Sequence, residues 1–159
     1  MLRILMMLAL ALASAPGTTL AQDADPQAAA YCADLKRVAA LAMTKERFSS
    51  ITGRPRNGSF LDTNLVLAGW TDCSLYGPGT YTCDSQGLGT AQEAENAQAR
   101  TLHDIKACLG DAWTEAKERS SASYVFLHNV ARPISITLST DETDKKEHVV
   151  RLILFVRRN

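Results

Sequence analysis

Apolar residues recur every three or four positions in two stretches of the chain, and this pattern predicts two amphipathic helices. The first helix is expected to run from Pro26 to about Met43. Asp25 precedes it in the position of an N-cap. Proline is favourable at the first helical position because the N–H that it lacks would have no partner within the helix.

The second helix, within residues 90–110, has the strongest signals in the sequence. Thr90 is followed three residues later by Glu93, the spacing of a capping box, and Gly110 occupies the position where glycine commonly ends a helix. The apolar stripe of this helix begins with alanine and ends with larger residues. Because small residues let a helix approach a sheet closely, we expect this helix to pack on a sheet.

The remaining apolar runs predict a mainly antiparallel sheet of five to six strands. The expected strands are 46–52, 65–76, 80–84, 124–128, 134–139 and 149–156. The last strand is almost entirely apolar and is expected to lie inside the sheet. The order α-β-β-β-α-β-β-β predicts an α+β fold with both helices packed on the sheet. No internal sequence repeat is detected.

The turn Gly77-Pro78-Gly79 allows one hairpin to be aligned residue by residue. A turn centred on Pro78 places Leu75 opposite Tyr81 and Cys73 opposite Cys83. Side chains alternate between the two faces of a strand, so these four residues are expected to point to one face. A shift by one residue would send the whole set to the other face, which makes the alignment a sharp prediction.

The first 21 residues have the features of a secretory signal peptide. Arg3 supplies a positive start, residues 4–13 are apolar, and small residues lead to an expected cleavage site after Ala21. The apolar run is shorter than the roughly 20 residues that span a bilayer, so no stable membrane anchor is expected after cleavage. Residues 22–159 are therefore expected to form a single exported domain, in the periplasm or outside the cell.

The chain has four cysteines, an even number that suits disulfide formation in an oxidising compartment. Four cysteines allow three pairings. The hairpin alignment favours Cys73–Cys83, and antiparallel helices would bring Cys32 close to Cys108. Neither a Cys-x-x-Cys redox motif nor the short ligand spacing of a zinc site is present, so structural disulfides are expected.

The remaining chemistry-bearing residues form no recognisable site. The 17 basic and 17 acidic residues balance, which argues against a nucleic-acid-binding surface. His103, His128 and His148 lie outside any catalytic or metal-binding motif and are expected at boundaries or on the surface. Residues 87–90 lack the third glycine of a dinucleotide fingerprint, and residues 141–144 lack the glycine and bidentate glutamate of a calcium loop. No cofactor or metal is predicted.

One group of residues is a candidate interface. Alternation along the predicted strand 65–76 places Trp70 on the face opposite Cys73. If the helices cover only one face, Trp70 lies with Val66 and Ala68 on the other face. A tryptophan among small apolar residues on an uncovered face is typical of an interface or of a second buried layer. Tyr76 and Trp113 are further candidate contact aromatics, and dispersed arginines, Arg56 and Arg151 among them, could gather into a patch for an acidic partner.

The predicted element order resembles the α+β sandwich of the type III secretion chaperones and their structural relatives. The resemblance concerns architecture and covers most of residues 22–159; no sequence motif supports it. The export signal and the four cysteines depart from it, because those chaperones work in the cytoplasm. What the resemblance implies is a binding role and possible dimerisation, and it assigns no residue roles.

Three functions follow as expectations. The first is a non-enzymatic exported module that binds a protein partner, for example an inhibitor of an enzyme. The second is a small secreted hydrolase whose site, containing a histidine, is assembled in space. The third is a structural envelope protein that forms a homodimer through its sheet.

Overall fold

A computed structural model describes residues 25–157 of the protein. Both predicted helices are present, and each begins directly after its predicted N-cap residue. The helices are α1 (Pro26–Leu41) and α2 (Ala91–Leu109). The side chain of Asp25 accepts a hydrogen bond from the N–H of Gln27 at 2.9 Å, which satisfies one of the free donors at the start of α1. At α2, Thr90 and Glu93 form the complete capping box.

Eight strands form one antiparallel sheet, so the predicted fold class is confirmed and the predicted number of five to six strands is wrong. The strands are β1 (Thr52–Pro55), β2 (Phe60–Thr63), β3 (Trp70–Tyr76), β4 (Thr80–Ser85), β5 (Trp113–Glu115), β6 (Tyr124–Asn129), β7 (Ile134–Glu142) and β8 (His148–Val156). Their order across the sheet is β1-β2-β3-β4-β8-β7-β6-β5. The apolar strand β8 lies inside the sheet, as predicted.

The errors in the strand prediction have local causes. Residues 49–51 form a turn of 3₁₀ helix where a strand was expected, and β1 begins only at Thr52. The expected strand 65–76 begins at Trp70, because Gly69 has a φ of 83°, which a strand does not allow. β2 and β5 have four and three residues, too few to show a clear alternation of apolar and polar side chains.

The element order divides the structure into two halves of the same design. We call α1 with β1 to β4 the first half, and α2 with β5 to β8 the second half. Each half is a helix followed by four consecutive antiparallel strands, and the last strands of the two halves, β4 and β8, pair at the centre of the sheet. The strand order therefore reads the same from both edges, although the sequence has no detectable repeat.

The face of the sheet that meets the helices forms the core. Directly opposite residues on five neighbouring strands form one row across it, and each is at most 1% exposed: Leu75, Tyr81, Leu154, Ile136 and Leu127. Leu35 of α1 and Ile105 of α2 belong to the same core cluster. The hairpin register is the one predicted, with Leu75 opposite Tyr81.

Two disulfides join the cysteines in the pairing that the sequence favoured. Cys32–Cys108 links α1 to α2 and therefore links the two halves, whereas Cys73–Cys83 links β3 to β4 within the first half. Two disulfides are compatible with an oxidising, exported location. Neither helix of the described residues is long and apolar enough to cross a membrane. The predicted signal peptide, residues 1–21, lies outside the described residues.

Candidate functional site

The position predicted for Trp70 is wrong. Its ring lies nearly parallel to that of Tyr31 on α1, with an angle of 11° between the planes and 6.4 Å between the centroids. Trp70 is therefore on the helix side of the sheet. The pairing of β3 with β4 shifts between Trp70 and Asp72, and a shifted register moves a side chain to the opposite face. The prediction assumed strict alternation of side chains along the strand from Cys73, which cannot reveal an irregularity in strand pairing.

Val66 and Ala68 lie in the loop between β2 and β3, beside α1. The backbone N–H of Ala68 donates to the carboxylate of Asp34 at 3.2 Å, which fixes the loop to the helix. Val66 is 45% exposed. Ala68 thus lies with Trp70 on the helix side and not on the opposite face, and a role of Trp70, Val66 and Ala68 in an interface stays a prediction.

A cleft of about 450 Å³ lies on this side, and we call it the helix cleft. The beginning of α1, the end of α2 and the loop before β3 surround it. Its lining includes Tyr31 and Trp70, the disulfide Cys32–Cys108, and two carboxylates, those of Asp25 and Asp104.

The opposite side of the sheet, which we call the open face, carries a groove of about 510 Å³ across β2, β3, β4 and β8. Arg56 and Asp72 form a salt bridge of 2.6 Å in it. Arg151 binds both carboxylate oxygens of Asp84, at 2.7 and 2.8 Å, and also pairs with Asp141 at 3.2 Å. The hydrogen bond to its carboxylate raises the pKa of each arginine, so the groove is lined by fixed and paired charges.

An aromatic pair borders this groove. The rings of Phe60 on β2 and Tyr76 on β3 lie directly opposite each other, with centroids 5.1 Å apart. Phe60 is 38% exposed and Tyr76 is 52% exposed. Two exposed aromatic rings in contact form a firm apolar projection on an otherwise polar surface. Of the two aromatics singled out with Trp70, Tyr76 is accessible and Trp113 is buried.

The open face of the second half is covered instead. Phe126 and Phe155 pack with centroids 6.2 Å apart, and the guanidinium of Arg119 lies 3.7 Å above the ring of Phe126. Arg119 belongs to a 3₁₀ helix, Lys117–Arg119, that follows β5. Beneath these side chains, Ser135 of β7 is fully buried. The covered part of the open face therefore lies around Ser135, and the groove lies over β2, β3, β4 and the adjoining part of β8.

The histidines do not converge. His103 is exposed on α2, His148 begins β8, and His128 lies opposite Ser135 across β6 and β7. The hydroxyl of Ser135 is buried and, within residues 25–157, has no hydrogen-bond partner. A nucleophile must be activated by its base and reached by substrate, so this pair gives the hydrolase hypothesis no support. Residues 25–157 also contain no group of three or more His, Cys, Asp or Glu that could hold a metal ion.

Sequence reasoning missed the groove although it named two of its arginines. Arg56 and Arg151 do reach one surface, but their partners Asp72, Asp84 and Asp141 come from three other strands. An acidic partner is therefore not favoured, because these arginines are already neutralised. The sequence signal was limited to Asp72 and Asp84, one aspartate in each of the expected strands 65–76 and 80–84.

Comparisons of the chain with protein-family models, with curated proteins and with solved structures find no match. The architectural resemblance to the type III secretion chaperones thus gains no support from these comparisons. The function has to be argued from the surfaces described above.

Proposed function

We propose that this protein is an exported binding module that holds a protein partner on the open face of its first half, as an inhibitor of an enzyme would. The observation that carries the proposal is the exposed pair of Phe60 and Tyr76 beside a groove of ordered charges. Tyrosine and arginine are the residues that most often dominate binding at protein interfaces, and phenylalanine is enriched there as well.

The groove is suited to binding because it is already rigid. Its floor consists of strands inside a sheet, and the bidentate pair with Asp84 fixes Arg151, one of its two arginines. The disulfide Cys73–Cys83 joins two of these strands from the other side. Ordering flexible side chains on binding costs roughly 0.5–1.5 kcal/mol for each one, and a preformed surface avoids much of that cost.

The charge in and beside the groove favours a basic partner. Two carboxylates, Asp72 and Asp84, and two guanidiniums line the groove, and Asp141 beside it pairs with Arg151. Asp62 adds another carboxylate, since it follows Phe60 by two residues on β2 and lies close enough to raise the pKa of Arg56. The excess of negative charge predicts that the partner offers a protruding loop with a lysine or arginine and an apolar side chain.

The first test uses a phage-displayed peptide library selected on the disulfide-bonded protein. We expect enriched peptides to contain lysine or arginine next to an apolar residue. Each peptide is then titrated against Tyr76→Thr, which preserves strand propensity, and against Val130→Thr as a control, because Val130 is 64% exposed and lies outside the groove. Loss of a central aromatic contact should weaken binding about tenfold or more, and the control should change nothing.

Peptides that bind Tyr76→Thr as tightly as the unchanged protein would contradict the proposal. A second copy of this chain is another possible occupant of the same face. Sedimentation at two protein concentrations tests the predicted homodimer, and a dimer that Tyr76→Thr dissociates would replace the proposed partner by self-association.

A further inference from the structure

The helix cleft differs in chemistry from the open face, and we propose that it binds a ligand through an organic ammonium group, such as the quaternary ammonium of choline. The inference does not depend on the function proposed for the open face. The two sites lie on opposite sides of the sheet, so each can fail its test without affecting the other.

The first argument is the aromatic wall of the cleft. Tyr31 and Trp70 present two nearly parallel rings, and both line the cleft. The face of an aromatic ring attracts a cation because the ring carries negative charge on its faces, and tryptophan does so most strongly. Quaternary ammonium groups are recognised in this way, since their charge is spread over apolar methyl groups.

The second argument is uncompensated charge. Two of the residues that line the cleft, Asp25 and Asp104, are acidic, and none is basic. Among the described residues Asp104 forms no salt bridge, whereas Lys106 on the same helix pairs with Glu115 on β5. On the open face, the carboxylates of Asp72, Asp84 and Asp141 meet arginines. In the helix cleft, by contrast, an added cation finds an unpaired carboxylate beside two aromatic rings.

The third argument is the hydroxyl of Tyr31. It is buried in a residue that is only 8% exposed, and it has no hydrogen-bond partner within residues 25–157. Burial raises the pKa of this phenol above its usual range, and the negative charge of Asp104 raises it further. Asp104 lines the same cleft as Tyr31 and Trp70, so its carboxylate favours a positive charge beside the aromatic wall.

The cleft is also of suitable size and has a fixed wall. Its volume of about 450 Å³ lies within the usual range for small-molecule sites. A Cβ atom at Gly69 would lie 2.6 Å from the side-chain nitrogen of Gln27, and Gly69 has a φ of 83°. The Gln27 side chain is flexible and could move, so it is the positive φ that favours glycine at this position. The hydrogen bond from Ala68 to Asp34 fixes the loop to α1 directly before Gly69 and Trp70.

The test is a titration of the disulfide-bonded protein with choline chloride, followed by two-dimensional NMR of the backbone amides. A parallel titration uses 3,3-dimethylbutan-1-ol, which has the shape of choline without its charge, and sodium chloride keeps the ionic strength constant. We expect saturable shifts with choline, confined to the start of α1, the end of α2 and the loop before β3. The neutral analogue should bind at least about fivefold more weakly.

Three variants assign the binding to named groups. Asp104→Asn should weaken choline binding about fivefold, because it removes the charge and keeps the shape. Trp70→Leu should weaken choline binding more than Asp104→Asn does. Asp111→Asn is the control, since Asp111 is exposed just beyond α2 and does not line the cleft. Equal binding of choline and its neutral analogue, or unchanged binding by Asp104→Asn, would overturn the proposal, as would the absence of saturable shifts.

Phosphatidylcholine vesicles then distinguish a lipid headgroup from a free ligand. Vesicle binding that free choline displaces identifies the headgroup as the source and supports the proposal. Choline binding without vesicle binding supports it with a free ligand as the source. Vesicle binding that choline does not displace and that Asp104→Asn retains would place the recognition elsewhere and contradict the proposal.

Discussion

The two halves of the molecule share one element order but are stabilised in different ways. In the first half β1 and β2 have four residues each, and β3 and β4 have seven and six. In the second half β7 and β8 have nine each and pair along their full length. Short strands bury less apolar surface within the sheet, and the first half adds buried side chains from the segments between its strands and helix, Phe48, Ile51, Leu65 and Leu67.

One row across the sheet shows this difference directly. Cys73, Cys83, Leu152 and Leu138 lie side by side on β3, β4, β8 and β7. In the first half a disulfide joins the two residues of this row, and in the second half the row consists of fully buried leucines. A disulfide holds two short strands in register whether or not much surface is buried around them. The same position in one design can thus be stabilised by a bond or by packing.

The open face shows the functional side of the comparison. In the second half Phe126, Phe155 and Arg119 cover part of this face, whereas the first half and the adjoining strand β8 leave salt bridges and two aromatic rings accessible. The covered part of the open face is closed to a partner, whereas the uncovered part is a surface on which a partner can bind. The disulfide beneath that surface keeps it rigid without a second layer of side chains.

The largest expected effect comes from separating the halves. Replacing both Cys32 and Cys108 by alanine should lower the free energy of unfolding by about 4 kcal/mol, because the bond closes a loop of 76 residues. Urea denaturation followed by circular dichroism measures it. If the loss were below about 1 kcal/mol, packing alone would hold the halves together and the disulfide would not be the main link.

The next largest effect is expected from removing the disulfide Cys73–Cys83. Replacing both Cys73 and Cys83 by alanine should cost about 2–3 kcal/mol, less than the first pair because these cysteines lie only 10 positions apart in the sequence. Amide hydrogen exchange should rise in β2, β3 and the outer edge of β4, while the paired strands β7 and β8 stay protected. Equal loss of protection in β7 and β8 would show that the two halves unfold as one unit and do not differ in local stability.

The smallest effects on stability are expected from replacing either of two buried tyrosines, Tyr81 and Tyr31, by phenylalanine. The hydroxyl of Tyr81 donates to the carbonyl of Leu65 at 2.8 Å, and Tyr81→Phe leaves that carbonyl only the longer hydrogen bond of 3.4 Å from the Thr63 hydroxyl, so it should cost about 1.5 kcal/mol. The hydroxyl of Tyr31 has no partner in the described residues, so Tyr31→Phe should change stability by less than about 0.5 kcal/mol. A larger loss for Tyr31→Phe than for Tyr81→Phe would contradict this assignment.

The pH dependence of the same variants adds a second readout. Burial raises the pKa of Tyr31 and of Tyr81, whereas an unfolded phenol loses its proton near pH 10. Above about pH 10 the unfolded protein therefore binds fewer protons than the folded protein, and stability falls as pH rises. The stability is fully present below this pH. Each tyrosine-to-phenylalanine variant should lose part of this alkaline decrease in urea denaturation.

Part of the fold was accessible from sequence because its signals are local. The helix ends, the turn at Gly77-Pro78-Gly79 and the pairing of Cys73 with Cys83 each depend on a few neighbouring residues. The strands β2 and β5 were missed because they are short and are defined by their partners. Trp70 was placed on the wrong face because a register shift depends on how two strands pair.

The candidate sites were less accessible, since both combine residues distant in sequence. The groove joins Arg56 to Asp72 and Arg151 to Asp84, and the helix cleft joins Tyr31 to Trp70 and Asp104. None of these groups has a characteristic spacing. Their chemistry exists only where the sheet and the helix pair bring the side chains together.

The sequence by itself determined the two helices, the α+β class, the hairpin register and a set of cysteines suited to two bridges. These depend on side-chain periodicity, capping and turn geometry, which act over a few residues. The tertiary structure alone decided the symmetric order of eight strands, the covered and uncovered parts of the open face, and the side of Trp70. Those depend on which strands pair and in what register, and pairing between distant segments is a property of the whole chain.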